Sequence, residues 1–275
     1  MVGDFFSGSL FWHFQSGIFS PAFASLAQGR FYGIDTMTSI LAIETSTSAC
    51  SVALSVDGAL FSRYSEEPRS HTRLIMSMID EVLAEAGLKV ADLDALAVTI
   101  GPGSFTGLRI GFATVQGLAF GADLPVIPVS TLEVMAQTYW RKHASNSDLA
   151  NPNESAVLMA VLDARMGEFN CGAYQLNSSG QFKAVAKDQL LGQTAALGLI
   201  DNIAPQVVVG DVAALLNDED RQQLAHQQLL PDAIDLLAIA LSTPARHKPV
   251  PVSSVELLYL RGTEAWKKHT KLRAG

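Results

Sequence analysis

The stretch Ile40-Leu-Ala-Ile-Glu-Thr-Ser-Thr-Ser-Ala-Cys-Ser-Val-Ala-Leu-Ser-Val-Asp-Gly-Ala-Leu-Phe-Ser-Arg-Tyr64 predicts three consecutive strands. A short apolar run, Ile40–Ile43, ends in the hydroxyl-rich Glu44-Thr-Ser-Thr-Ser48. Cys50–Val56 reads as a second strand and Ala59–Tyr64 as a third, with Asp57-Gly58 between them. Asp-Gly flanked by strand-like runs marks a hairpin, because both turn positions need positive φ.

Beyond Tyr64 the pattern becomes alternately helical and extended. Leu74, Ile75, Met78, Ile79, Val82, Leu83 and Ala86 recur at helical spacing, and Gly87 ends that helix. Ala95–Ile100 reads as a buried strand, and Gly101-Pro-Gly-Ser-Phe-Thr-Gly107 as a loop feeding a helix through Leu118. Pro125–Val129 is another strand, and Ser130-x-x-Glu133 a capping box for a helix ending near Trp140. The polar stretch 141–155 reads as a linker. A second unit follows, with strands Val157–Asp163 and Glu168–Tyr174, strand Val207–Val209 and helix Asp232–Ser242. Both units run strands first, then helix, strand and helix, which predicts a pseudo-duplicated α/β protein.

The 275 residues carry 19 Lys+Arg against 27 Asp+Glu, a net charge of −8, so the chain as a whole does not grip nucleic acid by itself. Charged residues are only 17%, which excludes wholesale disorder and suits an apolar surface meant for another protein. Cys50 and Cys171 make no disulfide framework and no CxxC pair, which fits a reducing compartment. Seven phenylalanines fall in residues 1–36 beside three charges, Asp4, Arg30 and Asp35. An acidic start argues against a secretory signal, and no run is long enough to span a membrane. The expectation is a leader outside the fold, ahead of a native start at Met37; a signal or a docking arm are the alternatives.

Glu44-Thr45-Ser46-Thr47 has the chemistry of a phosphate or metal-water cradle, but hydroxyls also close turns by local hydrogen bonds. Gly101-Pro-Gly-Ser-Phe-Thr-Gly-Leu-Arg109 permits close backbone approach ahead of a helix N-terminus. It lacks the Lys-Ser/Thr of a Walker loop and the glycine two residues before Ser104 that a nucleophile elbow needs. Helix packing is the stronger reading of its glycines. The six histidines are scattered without an HxxxH or HExxH pair, and Asp163, Glu168 and Asp211 do not converge by spacing. The tail Trp266-Lys-Lys-His-Thr-Lys-Leu-Arg273 is the one basic run, and reads as a solvated terminus.

Taken together, Ile40–Leu54, Gly101-Pro-Gly-Ser-Phe-Thr-Gly-Leu-Arg-Ile-Gly111, Asp163-Ala-Arg-Met-Gly-Glu168, Tyr259-Leu-Arg261 and Trp266-Lys-Lys268 resemble the TsaB (YeaZ) family of bacterial tRNA threonylcarbamoyladenosine synthesis. The resemblance implies the two-subdomain actin/hexokinase/Hsp70-like α/β fold with mixed sheets flanked by helices. Its division here would be 37–140, a linker at 141–155, and 156–275 with the basic tail. It implies a non-catalytic paralogue of TsaD that activates it together with the ATPase TsaE. The complex acts on adenosine 37 of tRNAs reading codons that begin with A. No catalytic or metal residue is implied; the HxxxH of TsaD is missing, and Val207-Val-Val-Gly210 supplies a single glycine where a full nucleotide site needs more. ATP or ADP would be bound only within the complex, near Glu44, Thr45, Ser46, Thr47, Ser104 and Arg109. The partner-facing helices would be His71–Ala86 and Thr106–Leu118, through Leu74, Ile75, Met78, Ile79 and Val82 on one and Ile110, Phe112, Val115 and Leu118 on the other. Without TsaD the same face would form a homodimer, tRNA would be reached only through the complex, and the setting is cytoplasmic with no membrane. The alternative is a glycoprotease-like endopeptidase acting on its paralogue.

Overall fold

The computed structural model describes residues 39–143, 156–176, 182–217, 219, 222, 224–242 and 246–261. The leader at 1–36, most of the linker and the basic tail lie outside them.

The first sheet holds β1 (Ser39–Glu44), β2 (Cys50–Val56), β3 (Ala59–Ser65), β4 (Ala95–Gly101) and β5 (Val126–Ser130), in the order β3-β2-β1-β4-β5. The first three are antiparallel neighbours, while β4 and β5 run parallel to β1. The β2–β3 turn is the expected one, with Asp57 at φ 48° and Gly58 at φ 85°. Helix α1 (His71–Ala86) follows β3, α2 (Phe105–Ala122) follows β4, and α3 (Thr131–His143) follows β5.

The second sheet repeats the plan. Its strands β6 (Val157–Arg165), β7 (Glu168–Leu176), β8 (Phe182–Gly192), β9 (Val207–Gly210) and β10 (His226–Gln227) lie in the order β8-β7-β6-β9-β10. Counted from the first strand of each unit, both sheets read third-second-first-fourth-fifth, with the fourth strand parallel to the first. The two-subdomain α/β architecture implied by the resemblance is therefore present. Helices of this half with described bounds include α4 (Gln193–Ile203), the single turn α5 (Val212–Leu215) and α6 (Ala233–Ser242).

Side-chain alternation on β1 explains its unbroken apolar run. Leu41 and Ile43 face α1 and α2, while Ile40 and Ala42 face α6, so both faces are covered. Two helices cross over to make this possible. Helix α3 follows the first sheet in sequence but lays Leu132, Met135 and Ala136 on Leu158, Ala160 and Val209 of the second. Helix α6 belongs by sequence order to the second half, yet Leu236, Leu237 and Ile239 close the first sheet. Sequence order alone groups these helices with the wrong sheets. Helix α3 also runs three residues past Trp140, because Arg141, within the stretch read as linker, is anchored by Asp232 and Asp235. Among the described residues no helix is long and apolar enough to cross a membrane.

Candidate functional site

The turn after β1 and the glycine loop after β4 meet at the C-terminal edge of the first sheet. Glu44 ends β1 fully buried. Its Oε1 accepts from the Ser46 amide at 2.7 Å, from the Ser46 hydroxyl and from Thr99 Oγ1 at 3.1 Å. Its Oε2 has no hydrogen-bond partner. Burial pushes this carboxyl up to about 7, against the lowering effect of the Ser46 and Thr99 hydrogen bonds. The group therefore keeps its proton to higher pH than an exposed glutamate does, and Thr99 is a contributor that the motif reading missed.

The other groups of the turn are held by the glycine loop. Thr45 Oγ1 donates to the Gly107 carbonyl at 2.9 Å, and the Ser46 carbonyl accepts from the Ser104 amide at 2.7 Å. Thr47, half-buried, accepts from the Ala49 amide at 3.4 Å. A Cβ on Gly103 would stand 2.3 Å from the Ser46 carbonyl oxygen, and one on Gly107 would stand 2.1 Å from that of Thr45. On Gly111 it would meet the Thr45 hydroxyl at 2.2 Å. These glycines are a clasp that seats α2 on the turn, which is the packing reading of the motif. Ser104 Oγ caps α2 by accepting from the Gly107 amide at 3.2 Å. Arg109, one turn further on, is exposed, with its guanidinium 3.6 Å from the Phe105 ring centroid.

The helix faces need correction. Ile75, Met78, Ile79 and Val82 on α1, and Val115 on α2, are buried in the core beneath the first sheet. They pack the monomer and present nothing to a partner. Leu74, Ile110, Phe112 and Leu118 are half-buried at the margin of that core. What α2 exposes is Phe105, Thr106, Arg109, Ala113, Gly117, Phe120 and Gly121, and α1 exposes Met76 among mostly polar and charged residues. Phe120 is 70% exposed, and nothing lies within 4 Å of where a Cβ on Gly117 or Gly121 would stand. Counting apolar residues missed this strip. Removing the buried positions 108, 111, 115 and 119 from the α2 sequence leaves it visible.

In the second half, Asp211 Oδ2 accepts from the Asp163 amide at 2.9 Å, and Asp211 Oδ1 accepts from Gln228 at 3.1 Å. Together with Arg165 they line an open cleft of about 230 Å³. Glu168 is not part of that cleft lining and pairs with Arg261. Among the described residues no group of three His, Cys, Asp or Glu is placed to hold a metal. Burial pushes the Cys50 thiol up to about 11 and that of Cys171 up to about 12, so neither is a thiolate near neutrality.

Residues 65–214 match the family model described as TsaD, tRNA N6-adenosine threonylcarbamoyltransferase. The tRNA threonylcarbamoyladenosine biosynthesis protein TsaB of Escherichia coli (strain K12) is 40% identical over 242 residues, covering 83% of this chain and 97% of that protein. The protein of the same name from Haemophilus influenzae is 34% identical over 236 residues, covering 83% of this chain and 96% of its own. Among solved structures, a Pseudomonas aeruginosa protein described as similar to the peptidase YeaZ superposes with a TM-score of 0.69 at 34% identity. That match covers 82% of this chain and all of the other.

Proposed function

The chain belongs to the TsaB family of tRNA threonylcarbamoyladenosine biosynthesis proteins, and on that premise we propose that it is the non-catalytic partner that activates TsaD, together with TsaE. The reaction served is N6-threonylcarbamoylation of adenosine 37 in tRNAs reading codons that begin with A. The protein brings no cofactor of its own to it. ATP or ADP enters only within the assembled complex, with Glu44–Thr47, Ser104 and Arg109 on the side where the nucleotide lies.

The observation that carries this reading is the exposed strip of α2. Phe120 projects from a floor of Ala113, Gly117 and Gly121, where a neighbouring backbone can approach closely. A large side chain set among small ones, exposed to water, is the composition of a helix-to-helix contact with another chain. Met76 is exposed on α1, which packs against α2, while Leu74, Ile110, Phe112 and Leu118 are half-buried against the core. TsaD is the occupant proposed, and a second copy of this chain takes its place when TsaD is absent.

Phe120→Glu tests the assignment by co-purification with TsaD. The variant keeps the wild-type melting temperature and loses the partner; retention of TsaD at wild-type yield removes α2 from the interface.

A further inference from the structure

Phe105, Arg109 and Tyr259 form an exposed cluster at the opposite end of α2 from Phe120. The Phe105 and Tyr259 ring centroids are 5.7 Å apart at a 45° tilt, and Arg109 Nε donates to Tyr259 Oη at 3.3 Å. Phe105 is 55% exposed and Tyr259 46%. Two aromatic rings held in mutual contact but half in water bury little, so core packing does not account for them. The Leu258 amide donates to the Ile100 carbonyl at 2.8 Å, which straps Tyr259 to the end of β4.

The charge around the cluster points to the occupant. Arg63, Arg73, Arg141, Arg165, Arg246 and Arg261 each pair with a carboxylate, whereas among the described residues no carboxylate pairs with Arg109 or with Arg69; of these two, Arg109 lies over an aromatic ring. Aromatic rings hold its guanidinium instead, so its charge stays unneutralised and its outer N–H groups stay free of an acid. Two residues after Tyr259, Arg261 reaches across to the Ala164 and Arg165 carbonyls of the second subdomain, both at 3.0 Å.

We propose that Phe105, Arg109 and Tyr259 are a contact for single-stranded RNA, on which an unpaired base stacks while Arg109 takes the adjoining phosphate. Exposed rings supply sequence-tolerant stacking, and a planar guanidinium serves both as a stacking surface and as a bidentate phosphate donor. The inference rests on the reading that the complex works on tRNA. It adds that this subunit touches the RNA directly.

The test is binding of a fluorescein-labelled anticodon stem-loop with unmodified adenosine 37 to the assembled complex, with a blunt RNA duplex of equal length as the control. Tyr259→Ala weakens stem-loop binding roughly tenfold and leaves duplex binding unchanged. Arg109→Gln lowers the salt slope by about one, equally with and without saturating ADP. Phe105→Ala repeats the Tyr259 result, and either variant suffices if the other does not fold. Wild-type stem-loop affinity in the variants overturns the proposal, as does equal loss of loop and duplex. Departure of the variants from the complex makes the cluster a protein-docking surface, and an Arg109 effect confined to the ADP-loaded complex assigns it to nucleotide; both outcomes overturn the RNA contact. Because binding is read without modification, a wild-type complex that binds RNA but fails to modify it counts against the functional reading alone.

Discussion

Arg141 holds Asp235 through two parallel contacts, Nε to Oδ1 and Nη2 to Oδ2, both at 2.8 Å. Arg141 lies on α3, which covers the second sheet, and Asp235 on α6, which closes the first, so the pair rivets the two exchanged helices together. Asp235 is fully buried, and burial pushes its carboxyl up to about 6 despite the lowering effect of Arg141. Removing one partner leaves a buried charge unpaired. Arg141→Ala therefore costs about 3–5 kcal/mol in chemical denaturation, while the double variant Arg141→Met/Asp235→Leu costs less than the single one.

Glu44 gives the stability a pH dependence of defined sign. Its folded value, about 7, lies above the ordinary 4.5, so between these limits the native state binds more protons than the unfolded chain. Its contribution is therefore present at low pH and is lost as pH rises through about 7. The wild type minus Glu44→Gln stability difference should fall on the order of 3 kcal/mol between pH 5 and pH 8. Denaturant midpoints at several pH values check this, and a difference that does not change with pH rejects it.

The clasp predicts opposite outcomes for two glycines of one helix. Gly107→Ala forces a Cβ to 2.1 Å from the Thr45 carbonyl and destabilises by about 3 kcal/mol. Gly117→Ala meets nothing within 4 Å and stabilises the isolated chain by about 0.5–1 kcal/mol. Thermal melting of both variants reads the difference directly. If Gly117 floors a partner contact, its alanine variant also associates more weakly while melting higher.

The endopeptidase alternative has its own readout. Ser104, the serine that would serve as nucleophile, has its Oγ accepting from the Gly107 amide as a helix cap. Purified protein incubated with TsaD should leave it intact on a denaturing gel. A discrete TsaD fragment that disappears with Ser104→Ala would establish the peptidase reading instead.

Local signals carried most of the fold. The Asp57-Gly58 turn and the bounds of α1 and β2 follow from turn chemistry and apolar spacing, because both act within a few residues. β8 was not legible: ten of its eleven residues are exposed or half-buried, with no alternation to follow. The exchange of α3 and α6 depends on which sheet face remains uncovered, a property of the assembled structure. For the site, the glycine loop was readable as a packing device. Ile79 and Val115 were misjudged because an apolar residue that serves the core looks the same in sequence as one that serves a partner. Phe120 lay between such residues, and only burial of its neighbours distinguishes it.

On the proposed reading this chain acts by docking through α2 onto the transferase. Reconstituted threonylcarbamoylation of a tRNA that reads codons beginning with A, assayed with TsaD and TsaE and with wild-type chain, Phe120→Glu or no chain, tests it most directly. Product should form with the wild type, and Phe120→Glu should lose as much of it as omitting the chain does. Undiminished product without the chain, or with a folded Phe120→Glu, would contradict it.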